Sequence, residues 1–96
     1  MASYHLTLRA EADVFDIFLY GLEAFGANQA ARYKDDLTRS FAMLAENPRM
    51  GRPAEAIALG LRRHEHQSHV ILYEIDGPDI LVLAVVHGRS IRRLEI

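Results

Sequence analysis

The sequence predicts an α+β fold with the element order β-α-α-β-β-β, in which a helical hairpin packs on one face of an antiparallel sheet. Apolar residues recur at helical spacing in two successive segments before Pro48, and β-prone runs separated by tight turns follow Gly60. Helices joined by a short turn lie antiparallel, and strands joined by tight turns form a meander. Because 96 residues can bury one core, we predict a single domain over residues 1–96.

The first half of the chain predicts one strand and two helices. Residues 4–9 alternate in polarity, which indicates a short strand at one edge of the sheet, with Leu8 on its apolar face. From residue 10 the apolar spacing becomes that of an amphipathic helix, which we expect to end at Gly26. Asn28 is a candidate cap for the second helix, and the Asn-Pro pair at residues 47–48 stops it.

The second half predicts a loop and a three-stranded meander. Residues 48–60 contain prolines and glycines without a clear period, so we interpret them as a loop. Residues 61–66 and 69–75 indicate two strands around a tight turn. Residues 80–86 are apolar without alternation, which is typical of a strand covered on both faces. The face of the sheet opposite the helices is expected to remain partly open to a partner.

Composition excludes several classes of site. The chain has no cysteine, which excludes disulfides, thiolate metal sites and a cysteine nucleophile. No apolar run approaches about 18 residues and no signal-like segment opens the chain, so we expect a cytoplasmic protein without a membrane partner. Residues 1–48 carry four basic and seven acidic side chains, whereas residues 49–96 carry seven basic and six acidic ones. This asymmetry is too weak to indicate nucleic-acid binding, and we expect no direct operator binding by this chain alone.

Histidines near the meander turn suggest one alternative, a metal site. His64 and His66 project from the same face of a strand, and His69 follows the turn. No carboxylate obviously converges on them, and a polar solvent-facing hairpin explains the composition equally well. We therefore predict neither a metal nor a cofactor. No serine lies in a G-x-S-x-G turn, and no phosphate-binding loop is present.

Arginines at the strand margins form the candidate target-binding site. Neighbouring strands lie about 4.8 Å apart, so side chains at their margins can converge on one patch. Solvated strand-end cations are the alternative interpretation. The predicted target-binding residues are Arg62, Arg63, His87, Arg89, Arg92 and Arg93.

The helices carry more large apolar side chains than one face of a short helix can hide. Core packing explains most of them, and the remainder can form a groove for a helix of another chain. The predicted partner-binding residues of the helices are Phe15, Leu19, Leu22, Phe41 and Leu44.

Several short segments occur along the chain in a definite order and spacing. An Ala-Asp-Val-Phe-Asp-Ile run at residues 12–17 and a Phe-Gly helix ending at residues 25–26 come first. The other segments are residues 44–52 (LAENPRMGR), 60–63 (GLRR), 68–73 (SHVILY) and 85–89 (VVHGR). Together they resemble the ParE branch of the RelE/ParE toxin superfamily, and the resemblance covers essentially the whole chain.

The resemblance implies a toxin of a type II toxin–antitoxin system that inhibits DNA gyrase. It also implies a ParD-like antitoxin that holds the toxin in a tight complex, for which the predicted partner-binding residues of the helices are the antitoxin-binding residues. Two alternatives stay open: a RelE-like ribosome-dependent mRNA interferase and a non-toxic antitoxin-binding regulator. A nuclease would use His87 with Arg62, Arg63 and Arg89. RNA cleavage needs both a proton acceptor and a proton donor. Arginine serves poorly in either role because its guanidinium stays protonated. The sequence therefore favours a toxin that is not an enzyme.

Overall fold

The computed structural model describes residues 1–91 and consists of two helices packed on a five-stranded sheet. The spatial strand order is β1-β5-β4-β3-β2, so β1 lies at one edge, as predicted. The predicted element order is confirmed, with a two-residue strand added inside the predicted loop. The elements are β1 Tyr4–Leu6, α1 Leu8–Phe25, α2 Ala27–Glu46, β2 Arg52–Pro53, β3 Arg62–His66, β4 His69–Asp76 and β5 Asp79–His87.

The sheet is mixed, which corrects the antiparallel prediction. Strands β2 to β5 pair antiparallel, whereas β1 pairs parallel with β5, with Tyr4 opposite Ile80. The outer edge of β5 can accept a strand of either direction, and β1 joins it in the parallel sense. Hydrogen bonds from Ile80 N to Ser3 O and from Thr7 N to Val82 O close this pair.

Helix α1 begins earlier than predicted because Thr7 caps it. Its Oγ1 accepts a hydrogen bond from Ala10 N at 3.0 Å and donates one to Leu83 O at 2.9 Å. The cap converts Leu8 and Arg9 from the predicted strand into the first helical turn, where Leu8 is exposed. The same residue therefore ends the strand, starts the helix and attaches both to β5.

A single residue, Gly26, joins the two helices. Its φ of 90° is a conformation that glycine adopts readily, and it ends α1 and precedes α2 at once. The second helix therefore starts at Ala27, and Asn28 lies inside it rather than capping it. Neither helix of the described residues is long and apolar enough to cross a membrane.

Strand β5 is buried on both faces, as its continuous apolar sequence predicts. A register irregularity between Leu72 and Tyr73 shifts the pairing of β4 with β5, so that Tyr73 faces Val82 but Leu72 faces Ala84. The bulge explains why the side chains of β5 do not alternate strictly between the two faces of the sheet.

Two apolar clusters occupy the two faces of the sheet. The cluster beneath the helices includes Leu37, Phe41, Leu44, Ile71, Tyr73, Ile80, Val82 and Val85. The opposite cluster joins Val70, Leu72, Ala84 and Val86 to Ala54, Leu61 and Ile91. The segment that connects β2 to β3 thus covers a face that was expected to be partly open.

Candidate functional site

Arg62, predicted to bind a target, is bonded within the chain. Its guanidinium donates to Gly51 O from Nε at 3.0 Å and from Nη2 at 2.6 Å, and to Arg49 O at 3.3 Å. The buried Tyr73 holds the same turn, residues 48–51. Its Oη donates to Pro48 O at 2.6 Å and accepts from Gly51 N at 3.0 Å. Arg62 therefore stabilises the turn before β2.

Arg63 is also largely enclosed. Its side chain is 13% exposed, and its Nη2 lies 3.2 Å from Glu65 Oε1. Glu65 also pairs with Arg52 at 2.7 Å, and these two guanidinium groups lower the pKa of Glu65 against the opposing effect of partial burial. Of the two arginines in this ion-pair cluster, only Arg52 presents most of its side chain to solvent.

The strand register separates the predicted arginine patch into two places. Arg62 lies opposite Tyr73, which lies opposite Val82, whereas His87 lies opposite His69. On β4 these two levels are four residues apart, or about 13 Å along the strand.

His87 and Arg89 lie together at the far end of the sheet, away from Arg62 and Arg63. The four-residue set considered for RNA cleavage is therefore not assembled. Arg92 and Arg93 lie outside the described residues.

Helix α1 presents an unpartnered apolar stripe, defined by Phe15, Leu19 and Leu22. Phe15 is 59% and Leu19 41% exposed, and Leu22 is half-buried. Their spacing of four and three residues places them on one face of the helix. Phe41 and Leu44, which were predicted to join this surface, are instead core residues at 2% and 0% exposure. They face the sheet because α2 directs its apolar side at the cluster beneath the helices.

At the end of the sheet where β3 passes into β4, Tyr33 of α2 lies among histidines. Its Oη lies 2.6 Å from His69 Nδ1 and 3.3 Å from His66 O. Ser40 Oγ lies 2.9 Å from His66 Nδ1. The His69 and His87 rings are 5.6 Å apart and meet edge to face. This histidine cluster, consisting of Tyr33, His66, His69 and His87, joins α2 to three strands.

Burial governs ionisation in the histidine cluster. It lowers the pKa of His66, with His64 adding to the effect and Asp36 opposing it. Burial also lowers the pKa of His69, and His87 and His66 lower it further by charge repulsion. The pKa of Tyr33 is raised by burial. Near pH 7 the folded protein thus holds His66 and His69 as neutral rings and Tyr33 as a protonated phenol.

A groove of about 550 Å³ opens beside this cluster, between the helical hairpin and the end of the sheet. Gly21 and Ala30 line it where the helices approach closely, and aromatic side chains and the strand end form its walls. The wall residues include Ile17, Tyr20, Phe25, Tyr33, His69 and His87. No group of three or more His, Cys, Asp or Glu side chains within residues 1–91 is arranged to hold a metal ion.

Sequence reasoning did not bring His69 and His87 together. Continuing the pairing of Asp76 with Asp79 without interruption would place Val86, not His87, opposite His69. The bulge adds one residue to β5 and so brings His87 opposite His69. No sequence signal marks the position of this bulge. Tyr20 was also missed, because its spacing of five residues from Phe25 is not one that places two side chains on the same face of a helix.

Comparisons with known proteins converge on one family. The model for the family described as ParE toxin of type II toxin-antitoxin system, parDE, matches residues 4–92. The protein named Toxin ParE1 from Caulobacter vibrioides is 39% identical over 87 residues, covering 91% of this chain and 90% of that protein.

Two solved structures share the fold. A chain of the chromosomal ParDE toxin–antitoxin system from P. aeruginosa superimposes with a TM-score of 0.76 at 24% identity, covering 91% of this chain and 96% of that one. A chain of the RelBE2 toxin–antitoxin complex from Mycobacterium tuberculosis gives a TM-score of 0.64 at 19% identity, covering 90% and 96%.

Proposed function

Because this chain belongs to the family of ParE toxins of type II toxin–antitoxin systems, we propose that a ParD-like antitoxin neutralises it and that the free protein inhibits DNA gyrase. The observation that carries the antitoxin proposal is the apolar stripe of α1. A monomeric protein rarely leaves large apolar side chains aligned along one helix without a partner for them. The occupant we propose is an amphipathic helical segment of the antitoxin, whose apolar side chains pack between Phe15, Leu19 and Leu22.

Inhibition by binding fits the chemistry better than RNA cleavage does. Arg62 and Arg63 are committed to contacts within the chain and lie away from His87. The cation beside His87 is Arg89, which is exposed and suits contact with an acidic surface of the target. Target binding through Arg92 and Arg93 stays a prediction.

A supercoiling assay tests the gyrase proposal. Purified toxin in excess over gyrase is expected to block supercoiling of relaxed plasmid, and stoichiometric antitoxin is expected to restore it. Arg89→Gln should weaken inhibition by about fivefold or more, because a charge-assisted contact contributes about 1–3 kcal/mol. Arg32→Gln, an exposed arginine on α2, is the matched control and should inhibit like the wild type.

Two results would overturn the gyrase proposal. One is full supercoiling activity at toxin excess. The other is codon-specific cleavage of mRNA on ribosomes, lost in His87→Ala, which would establish the interferase alternative. Unimpaired growth on expression without antitoxin would instead favour the non-toxic regulator.

A further inference from the structure

The groove beside the histidine cluster combines an apolar lining with two imidazoles. Ile17, Tyr20 and Phe25 supply the apolar side, and His69 and His87 stand at the strand end. Tyr20 and Phe25 are exposed and pack edge to face with ring centres 6.3 Å apart. At about 550 Å³, the groove has the size of a site for a small ligand or one large side chain.

The hydrogen bond that His87 accepts fixes which of its nitrogens carries the proton. Its Nδ1 accepts from the backbone N of Arg89 at 3.1 Å. A neutral imidazole has one N–H, so in this arrangement the proton is on Nε2. Within residues 1–91, this is the only hydrogen bond of the His87 side chain, which leaves its Nε2–H available as a donor.

Tyr33 imposes the same assignment on His69. The phenol has one proton, and its shorter contact is the 2.6 Å one to His69 Nδ1 rather than the 3.3 Å one to His66 O. Burial raises the pKa of Tyr33 and keeps the phenol protonated, and we assign its one proton to the shorter contact, the one to Nδ1. His69 then carries its own proton on Nε2, and two rings 5.6 Å apart both line the groove as N–H donors.

We propose that this groove binds a carboxylate attached to a large apolar group, with the carboxylate accepting from His69 and His87 and the apolar group packing between Tyr20 and Phe25. The occupant we assign is a segment of the antitoxin in which an acidic residue adjoins a large apolar one. Phe25 lies three residues beyond Leu22, so a helix on the apolar stripe of α1 leads directly to the groove. This assignment of the occupant rests on the proposed antitoxin partner.

The charges around the groove predict stronger binding as the pH falls. A bound carboxylate favours the protonated form of the nearby imidazoles, so proton uptake and carboxylate binding strengthen each other. Asp16 on α1, which lines the groove, opposes a second carboxylate and favours the imidazolium form. The other titratable groups that face the cluster are Tyr20 of α1, Tyr33 and Asp36 of α2, and His64 and His66 of β3.

The test uses the full-length chain and 3-phenylpropionate as the probe, with 3-phenylpropanamide as its neutral counterpart. NMR titration should show saturable shifts at His69, His87 and Phe25, with the acid binding about tenfold more tightly than the amide at pH 6.5. The acid should bind severalfold more tightly at pH 6 than at pH 7.5, and the amide should not change. Equal binding of acid and amide, shifts elsewhere, or no saturable binding would overturn the proposal.

Variants separate the two parts of the groove. His87→Gln should weaken binding of the acid by about fivefold or more and binding of the amide by less, because the amide carbonyl can accept from Nε2–H but carries no charge to favour a cationic ring. Phe25→Ala should weaken both probes. His5→Gln, on the distant strand β1, is the matched histidine control and should bind both probes like the wild type.

A second arm identifies the occupant with purified antitoxin. His87→Gln should weaken antitoxin binding and flatten its pH dependence, which supports the assignment. Unchanged antitoxin affinity with lost binding of 3-phenylpropionate would overturn the antitoxin as occupant and leave a free carboxylate ligand. Failure of the antitoxin to bind the wild type at all would overturn the proposed function, while the probe titration would still decide the carboxylate site.

Discussion

Two tyrosine hydroxyls connect the sheet to the rest of the molecule, and their surroundings differ. Tyr73 Oη, near the turn before β2, donates to one backbone carbonyl and accepts from the backbone N–H of Gly51. Tyr33 Oη, at the opposite end of β4, contacts an imidazole and borders an open groove. The first hydroxyl is saturated by backbone groups that cannot titrate, and the second has a partner that can.

The polar groups near Tyr73 are used within the fold, whereas those near Tyr33 are available to a ligand. A Cβ at Gly51 would overlap Tyr73 Oη, so only glycine lets the turn close on that hydroxyl. At this end the Arg62 guanidinium also donates its hydrogen bonds to backbone carbonyls. At the other end, the Nε2 atoms of His69 and His87 have no hydrogen-bond partner among the described residues. Binding chemistry is therefore expected at the histidine end and stability at the Tyr73 end.

The largest effect is expected from Tyr73→Phe. Removing the hydroxyl leaves Pro48 O and Gly51 N without their partner in a buried place, which should cost about 2–3 kcal/mol of unfolding free energy. Urea denaturation followed by circular dichroism measures it. Tyr20→Phe, which alters an exposed tyrosine, should stay within about 0.5 kcal/mol of the wild type. Equal stability of the two variants would contradict the structural role of Tyr73.

Arg62→Gln should have the next largest effect. Loss of the guanidinium bonds to Gly51 O and Arg49 O should cost about 1–2 kcal/mol, because a shorter amide cannot reproduce both contacts. Arg49→Gln, which changes an exposed arginine in the same turn, should cost less than about 0.5 kcal/mol in the same denaturation assay. If Arg62→Gln kept full stability but lost gyrase inhibition, Arg62 would be a target contact after all.

Tyr33→Phe should cost less than Tyr73→Phe, about 0.5–1.5 kcal/mol, because water can reach the partly exposed groups that it leaves. The variant should also change the His69 ring tautomer, since Nδ1 loses its donor. Nitrogen-15 NMR of the imidazoles reports that change. A His69 ring that carries its proton on Nδ1 in the wild type would show instead that Tyr33 accepts from this ring and donates to His66 O.

The smallest effect is the pH dependence of stability. Burial lowers the pKa of both His66 and His69 in the folded chain, whereas in the unfolded chain each titrates near 6.5. Below pH 6.5 the unfolded chain binds more protons than the folded one, so the free energy of unfolding should fall as the pH drops from 7.5 to 5.5. Denaturation at several pH values should show this slope, and His66→Gln/His69→Gln should flatten it. An equally steep slope in the double variant would assign the effect to other groups.

The sequence predicts elements well where local chemistry is decisive. Apolar periodicity locates both helices, and the continuous apolar run of β5 correctly indicates a strand buried on both faces. The strand–helix boundary at Thr7 was missed because residues 4–9 alternate in polarity as a strand would. The helix starts there because the Thr7 hydroxyl caps it locally and also bonds to Leu83 O, a tertiary contact that the sequence does not reveal. The direction of β1 depends on which edge it joins, which its own residues do not encode.

The site was harder to predict than the fold. Helical spacing identifies Phe15, Leu19, Phe41 and Leu44 equally as apolar positions, and only the packing of α2 on the sheet shows that the last two are core. Arginine placement at strand margins likewise does not reveal that Arg62 folds back on a turn. The histidine pair depends on a bulge that shifts the register by one residue.

The most direct test of the account is the affinity of the purified antitoxin for this chain, measured by isothermal titration calorimetry. The double variant Phe15→Ala/Leu19→Ala should bind about 100-fold more weakly than the wild type, because aligned apolar anchors contribute most of the binding energy of a helix in a groove. Leu59→Ala, which truncates an exposed leucine on the opposite side of the sheet, should bind within about twofold of the wild type. An unchanged affinity of the double variant would contradict the assignment of the α1 stripe as the antitoxin surface.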